Sequence, residues 1–102
     1  MEKTELDKIL ADHALWLADN STGKRADLRW ADLRWANLCE ADLRWADLCW
    51  ANLRRANLSG ADLSEADLRW ADLRWANLCE ANLSGANLFS GWQLCALPAP
   101  AK

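Results

Sequence analysis

The sequence predicts an all-β solenoid preceded by a short α-helix, and three observations carry that prediction. From Ala26 to Ser90 the chain reads Ala-Asp/Asn-Leu-x-x thirteen times in unbroken register, 65 of its 102 residues. A leucine every five residues would step about 140° around a helix and leave no apolar stripe, so the repeat is not helical. Within each pentad Ala and Leu stand two apart across an Asp or Asn, the in-out-in alternation of a three-residue strand, and the last two residues turn a corner. Ala and Leu then point to a common axis while the other three positions face outward, and successive units bury their apolar faces on one another.

The segments outside the repeat read as its ends. Residues 1–25 form an N-terminal helical cap and connection, 26–90 the repeat, and 91–102 a C-terminal capping segment and flexible tail. In the first segment Thr4 is the expected N-cap, with Asp7 in the first turn, of an amphipathic helix over residues 5–19. Leu6, Ile9, Leu10, His13, Trp16 and Leu17 fall on one face of that helix, and Asn20, Ser21 and Gly23 end it. Its place is over the first coil, shielding Leu28, Leu33, Leu38 and Leu43. At the other end, Gln93 would take the central position where the repeat requires Leu, so the repeat stops after Ser90. Phe89, Trp92, Leu94 and Leu97 then either fold over the last coil or meet a second copy of the chain.

The motif resembles the pentapeptide-repeat family, whose unit centres on Leu or Phe with a small residue two positions earlier. The resemblance implies a right-handed quadrilateral β-helix with four pentads per coil, and therefore about three coils here. It also implies dimerisation through the C-terminal end, as many members of that family do. Residues 26–41 and 66–81 are identical, so a two-coil unit is copied, as tandem duplication or design would produce.

Under this four-pentad register, outward side chains stack in columns at the spacing of neighbouring strands, about 4.8 Å. One face carries Trp30, Trp50 and Trp70 at its second corner position. The next carries Trp35, Arg55 and Trp75, a guanidinium between two indoles, beside a column of Arg34, Arg54 and Arg74. Such ladders stabilise the outside of a thin core. Eight tryptophans in 102 residues also exceed what a small solenoid needs, and exposed aromatic patches mark partner sites. Trp30, Trp50, Trp70, Trp35, Arg55 and Trp75 are therefore the candidate partner-binding residues. The Asp and Asn before each Leu serve local backbone donors. An Asn37, Asn57, Asn77 ladder is expected on the third face.

The remaining features narrow the function. A net charge of −3 selects neither nucleic acid nor an acidic mimic. The stripe Asp27, Asp47, Asp67 raises DNA mimicry, as in the quinolone-resistance members of the family that bind DNA gyrase, but an arginine column runs beside it. No His pair, C-x-x-C, G-x-S-x-G or phosphate loop occurs. No catalytic residue, metal ligand or cofactor is therefore expected, and the single histidine, His13, reads as a packed residue of the helix. The first residues lack the basic end and apolar run of a signal peptide, and no run of 18 apolar residues suggests a membrane span, so a cytoplasmic location is expected. In that reducing compartment Cys39, Cys49, Cys79 and Cys95 should be free thiols. Cys39 and Cys79 share a column but lie two coils, about 10 Å, apart, beyond disulfide reach. The expected function is a non-enzymatic interaction or structural scaffold, with a topoisomerase-directed DNA mimic and an end-to-end stacking subunit as the alternatives.

Overall fold

Among the described residues, every corner of the repeat is a four-residue turn closed by the same bond. The amide of each following alanine donates to the carbonyl of the preceding leucine, as in Ala31 N–H to Leu28 C=O at 3.1 Å and Ala51 N–H to Leu48 C=O at 3.0 Å. In the computed structural model of the chain, which describes residues 1–88, the third residue of each turn adopts a left-handed backbone. Ten such residues are not glycine, among them Trp30, Glu40, Trp50 and Arg55, with φ between 61° and 66°. This region costs an L-residue about 1–2 kcal/mol. The conformation persists because it aims the amide of the same residue at the next coil: Trp30 N–H donates to Cys49 C=O at 3.1 Å and Trp50 N–H to Arg69 C=O at 3.1 Å.

The coils repeat every four pentads. Parallel bridges join Asp27 to Asp47, Asp32 to Asn52, Asn37 to Asn57 and Asp42 to Asp62, and the same step continues from each to the next coil. The extended segments are shorter than the three-residue strands expected: each side contributes one bridge residue, the Asp or Asn, before the chain turns. The side chain of that residue bends back to accept from the amide two positions on, as Asn57 Oδ1 does from Ser59 N–H at 3.0 Å. The Asn37, Asn57, Asn77 ladder forms as the spacing predicts.

Leu28 through Leu78 are at most 1% exposed and line the axis with Ala46 through Ala81. The expectation that all thirteen leucines and their alanines are buried fails at both ends. Leu83 and Leu88, in the last of the described pentads, are half-buried. Ala31, Ala36 and Ala41 are also half-buried, since the positions one coil before them belong to the helix and connection rather than to a coil.

Helix α1, Lys3–Ala18, starts two residues earlier than expected, and Thr4 is not its N-cap. Glu2 takes that position in extended backbone, with no side-chain cap bond. An i, i+4 pair of Lys3 and Asp7 at 2.8 Å spans the first turn. At the other end Asn20 Nδ2 and Thr22 Oγ1 donate to the carbonyls of Trp16 and Leu15. Gly23 (φ +60°) lies against the helix, where an added Cβ would press on Asp12 C=O and sit 2.6 Å from Leu15 Cβ. Leu6 joins the buried core, with Ile9 and Leu10 packed beside it. His13 is fully buried, as its place on the apolar face predicts. The expectations for Phe89, Trp92, Gln93, Leu94, Cys95 and Leu97 lie outside the described residues.

Candidate functional site

The four-pentad register alone brings the predicted aromatic residues together. Trp30 and Trp50 stack with ring centroids 4.9 Å apart and planes within 2°, and Trp50 and Trp70 follow at 5.1 Å and 12°. One corner away, the Arg55 guanidinium lies 5.2 Å from the ring centroid of Trp35 and 5.2 Å from that of Trp75. All six candidate residues thus fall into the two predicted columns. They remain accessible: Trp30 is 70% exposed and Trp35 72%, and only Trp70 among the six is partly covered. Offset indole pairs contribute about 0.5–1.5 kcal/mol beyond area burial, so each column stiffens the coil while it faces water.

Sequence reasoning missed how completely the charges pair. Wherever a pentad reads Ala-Asp-Leu-Arg, the arginine folds back on the aspartate two residues before it. Arg29 Nε and Nη2 both reach Asp27 at 2.9 Å, and Arg34, Arg44, Arg69 and Arg74 do the same with Asp32, Asp42, Asp67 and Asp72. The hydrogen bonds from Arg29 hold the Asp27 carboxyl down at about 2, and those from the partner arginines lower Asp32, Asp42, Asp67 and Asp72 in the same way. The spacing of two between Asp and Arg was the available signal. It went unread because the side-chain direction depends on the left-handed corner.

A second grouping was also missed. Asp47, Cys49 and Asp67 place a thiol and two carboxylates within 4.8 Å of one another. Burial, with Asp67 and Asp47 beside it, raises the Cys49 pKa, whereas a ligating thiol must lose its proton. Arg69 on Asp67 at 2.8 Å and Arg29 at 3.6 Å from Asp47 already supply positive charge there. The chemistry of this donor set does not favour a cation. Cys39, Cys49 and Cys79 are free thiols.

On the buried side of α1, Ala26 N–H donates to His13 Nδ1 at 3.0 Å, and His13 Nε2–H donates to Arg44 C=O at 2.8 Å. The two bonds fix the neutral tautomer. Desolvation lowers the His13 pKa, against the raising effect of the Arg44 carbonyl. Both ring nitrogens are occupied by backbone groups, and the ring serves packing. Among the described residues no helix is long and apolar enough to cross a membrane.

Comparison with known proteins agrees with this geometry. No curated protein sequence matches the chain. A pentapeptide repeat protein of known structure from the cyanobacterium Cyanothece 51142 is 42% identical over 58% of this chain and 40% of its own, with a TM-score of 0.57. HetL, a pentapeptide repeat protein involved in heterocyst differentiation regulation in Nostoc sp. strain PCC 7120, is 39% identical over 56% of this chain and 34% of its own, with a TM-score of 0.29. A pentapeptide repeat protein from the Arabidopsis thaliana thylakoid lumen is 32% identical over 64% of this chain and 55% of its own, with a TM-score of 0.32. The chain thus spans 40% and 34% of the length of the first two relatives. The family profile described as "Pentapeptide repeats (8 copies)" matches residues 26–64, 41–78 and 66–90, the whole of the repeat. A match over that span, with the four-pentad register and the turn at each corner, means that the chain belongs to the pentapeptide-repeat family.

Proposed function

We propose that this chain is a non-enzymatic protein-interaction scaffold: a right-handed quadrilateral β-helix of about three coils, closed at its N-terminal end by α1, that presents its tryptophan and arginine columns to a protein partner. The observation that carries this reading is the pairing of order with exposure. Trp30 and Trp50 are held at 4.9 Å in parallel planes and yet stay 70% and 44% exposed. Rigid, accessible aromatic groups lose little entropy on binding and supply large contact area. The DNA-mimic alternative is weakened by the arginine pairing: Asp27 and Asp67 each carry a bidentate arginine, so the stripe does not project bare negative charge. End-to-end stacking and dimerisation depend on Phe89, Trp92, Leu94 and Leu97, outside the described residues.

The test uses the full chain as bait in an extract of its native host, with Trp50→Ala and Trp45→Ala alongside. Trp50 is the centre of a stack, whereas the column neighbour of Trp45 is Glu65. The expected result is that Trp50→Ala loses a captured protein that wild type and Trp45→Ala retain, while its melting temperature falls by only a few degrees. Retention of every captured protein by Trp50→Ala, with a large drop in melting temperature, would assign the column to stability instead.

A further inference from the structure

We propose that the second face carries a binding site for an acidic protein segment, centred on Arg54 and Arg55 and created by Asn52. This rests on the interaction reading above and names the chemistry of the partner. Its basis is an exception in the repeat. Five pentads place Asp and Arg two apart, and in all five the pair closes as a bidentate ion pair. Ala51-Asn52-Leu53-Arg54-Arg55 is the pentad that has the arginine without the aspartate, and it adds a second arginine at the left-handed corner. Asn52 offers Arg54 one neutral oxygen, at 3.4 Å. The nearest carboxylate among the described residues, Asp72, is 3.7 Å away and already holds Arg74 through both of its oxygens. Arg55 meets the two indoles, and no carboxylate pairs with it among the described residues.

The result is a local excess of positive charge on a chain of net charge −3. Among the described residues, Arg34, Arg54, Arg55 and Arg74 face the two carboxylates of Asp32 and Asp72, an excess of +2. The bridge residues of the neighbouring third face are Asn37, Asn57 and Asn77, which add no compensating charge. Arg34, Trp35, Arg54, Arg55 and Trp75 line an open groove of about 290 Å³. The indoles hold the Arg55 guanidinium in place, so little rotamer entropy remains to be lost when it meets an anion.

Charge complementarity selects an anionic occupant, and the arrangement favours a peptide over a nucleic acid. Single-stranded nucleic acid is bound by open aromatic faces under its bases and by long basic tracks under its phosphates. Here the facing sides of Trp35 and Trp75 are taken by Arg55, and the facing sides of Trp30, Trp50 and Trp70 are taken by one another, so no base can insert between neighbouring rings of either column. The groove itself offers a small cluster of guanidinium groups with indole edges as its apolar walls. An extended segment carrying two or more Asp or Glu fits that cluster: its carboxylates reach Arg54 and Arg55, and its methylenes lie along the indole edges.

The experiment measures binding of a fluorescein-labelled hexaglutamate peptide by anisotropy, at several salt concentrations, to the full chain and to three variants. Asn52→Asp completes the aspartate row without touching an arginine or a tryptophan, and should weaken the probe about fivefold while preserving the fold. Asn57→Asp makes the same charge change on the next face and should shift affinity by less than about twofold. Arg54→Gln with Arg55→Gln should remove binding, with circular dichroism confirming the coil. Equal weakening by Asn52→Asp and Asn57→Asp would overturn the site, because it would mean diffuse attraction. Tighter binding of a ten-nucleotide oligo(dT) that Asn52→Asp also weakens would overturn the choice of partner. If hexaglutamate binds no form of the protein while Trp50→Ala still loses its captured partner, the acidic site falls and the interaction reading stands. If capture is also unchanged, both fall.

Discussion

Leu58 shows what a single residue contributes in this architecture. It has a coil above and below, is 0% exposed, and its amide donates to Asn77 C=O at 2.8 Å. Leu58→Ala should therefore cost about 2–5 kcal/mol in denaturant melts, and a change under about 0.5 kcal/mol would contradict the inward assignment. His13 makes a different prediction, about pH. Its folded pKa is lowered from 6.5, so below that value the unfolded chain takes up the proton first, and stability falls as pH drops. A proton on Nδ1 would also confront the Ala26 amide that now donates to it. Melting temperature should decline below about pH 6.5 in wild type and not in His13→Gln, with a separate decline below about pH 4 in both as the lowered aspartates Asp27, Asp32, Asp42, Asp67 and Asp72 protonate. A His13→Gln profile that matches wild type between pH 7 and 5 would remove His13 as the cause of the first decline.

The elements differ in how far their sequence discloses them. The pentad does so almost entirely, because Ala and Leu two apart fix which side chains go inward and the count of five fixes where the chain turns. Its corner does not. Tryptophan, glutamate and arginine occupy a left-handed position that residue preference assigns to glycine or asparagine, and only Gly60 and Gly85 at equivalent places hinted at it. The rung bonds made by those amides override the preference, and they exist only once the next coil is laid down. For α1, the apolar spacing identified Leu6 and His13, but the start was misplaced: the pairing of Lys3 with Asp7 and the β-region backbone of Glu2 begin the helix before Thr4. Because Leu6, Ile9 and Leu10 pack on the core, deleting residues 1–20 should expose the first-coil leucines Leu28, Leu33, Leu38 and Leu43. The truncated chain should aggregate or melt lower in light-scattering and thermal measurements, and a monomer with an unchanged melting temperature would show that α1 does not shield the coil.

At the scale of the whole molecule, one relation organises both the core and the surface: four pentads make one turn. It aligns the leucines, stacks Trp30 on Trp50, sets Arg55 between two indoles and places Asn52 between Asp32 and Asp72. The periodicity of five was visible in the sequence, but the number of sides was not. A three-sided coil would satisfy the same inward pattern and would instead align Trp30, Trp45 and Trp75. The most direct test uses the cysteines already present. Cys39 and Cys79 occupy one column two coils apart, with Ser59 between them. Neighbouring members of a column are about 4.8 Å apart, within the range a disulfide spans, whereas members two coils apart are about 10 Å apart and beyond it. Mild oxidation of Ser59→Cys, mapped by peptide mass spectrometry, should therefore link position 59 to Cys39 or Cys79, while wild type forms no intramolecular bond between Cys39 and Cys79. A substituted thiol at position 59 that stays reduced, or that pairs with Cys49 instead, would contradict the four-sided register and with it every column described above.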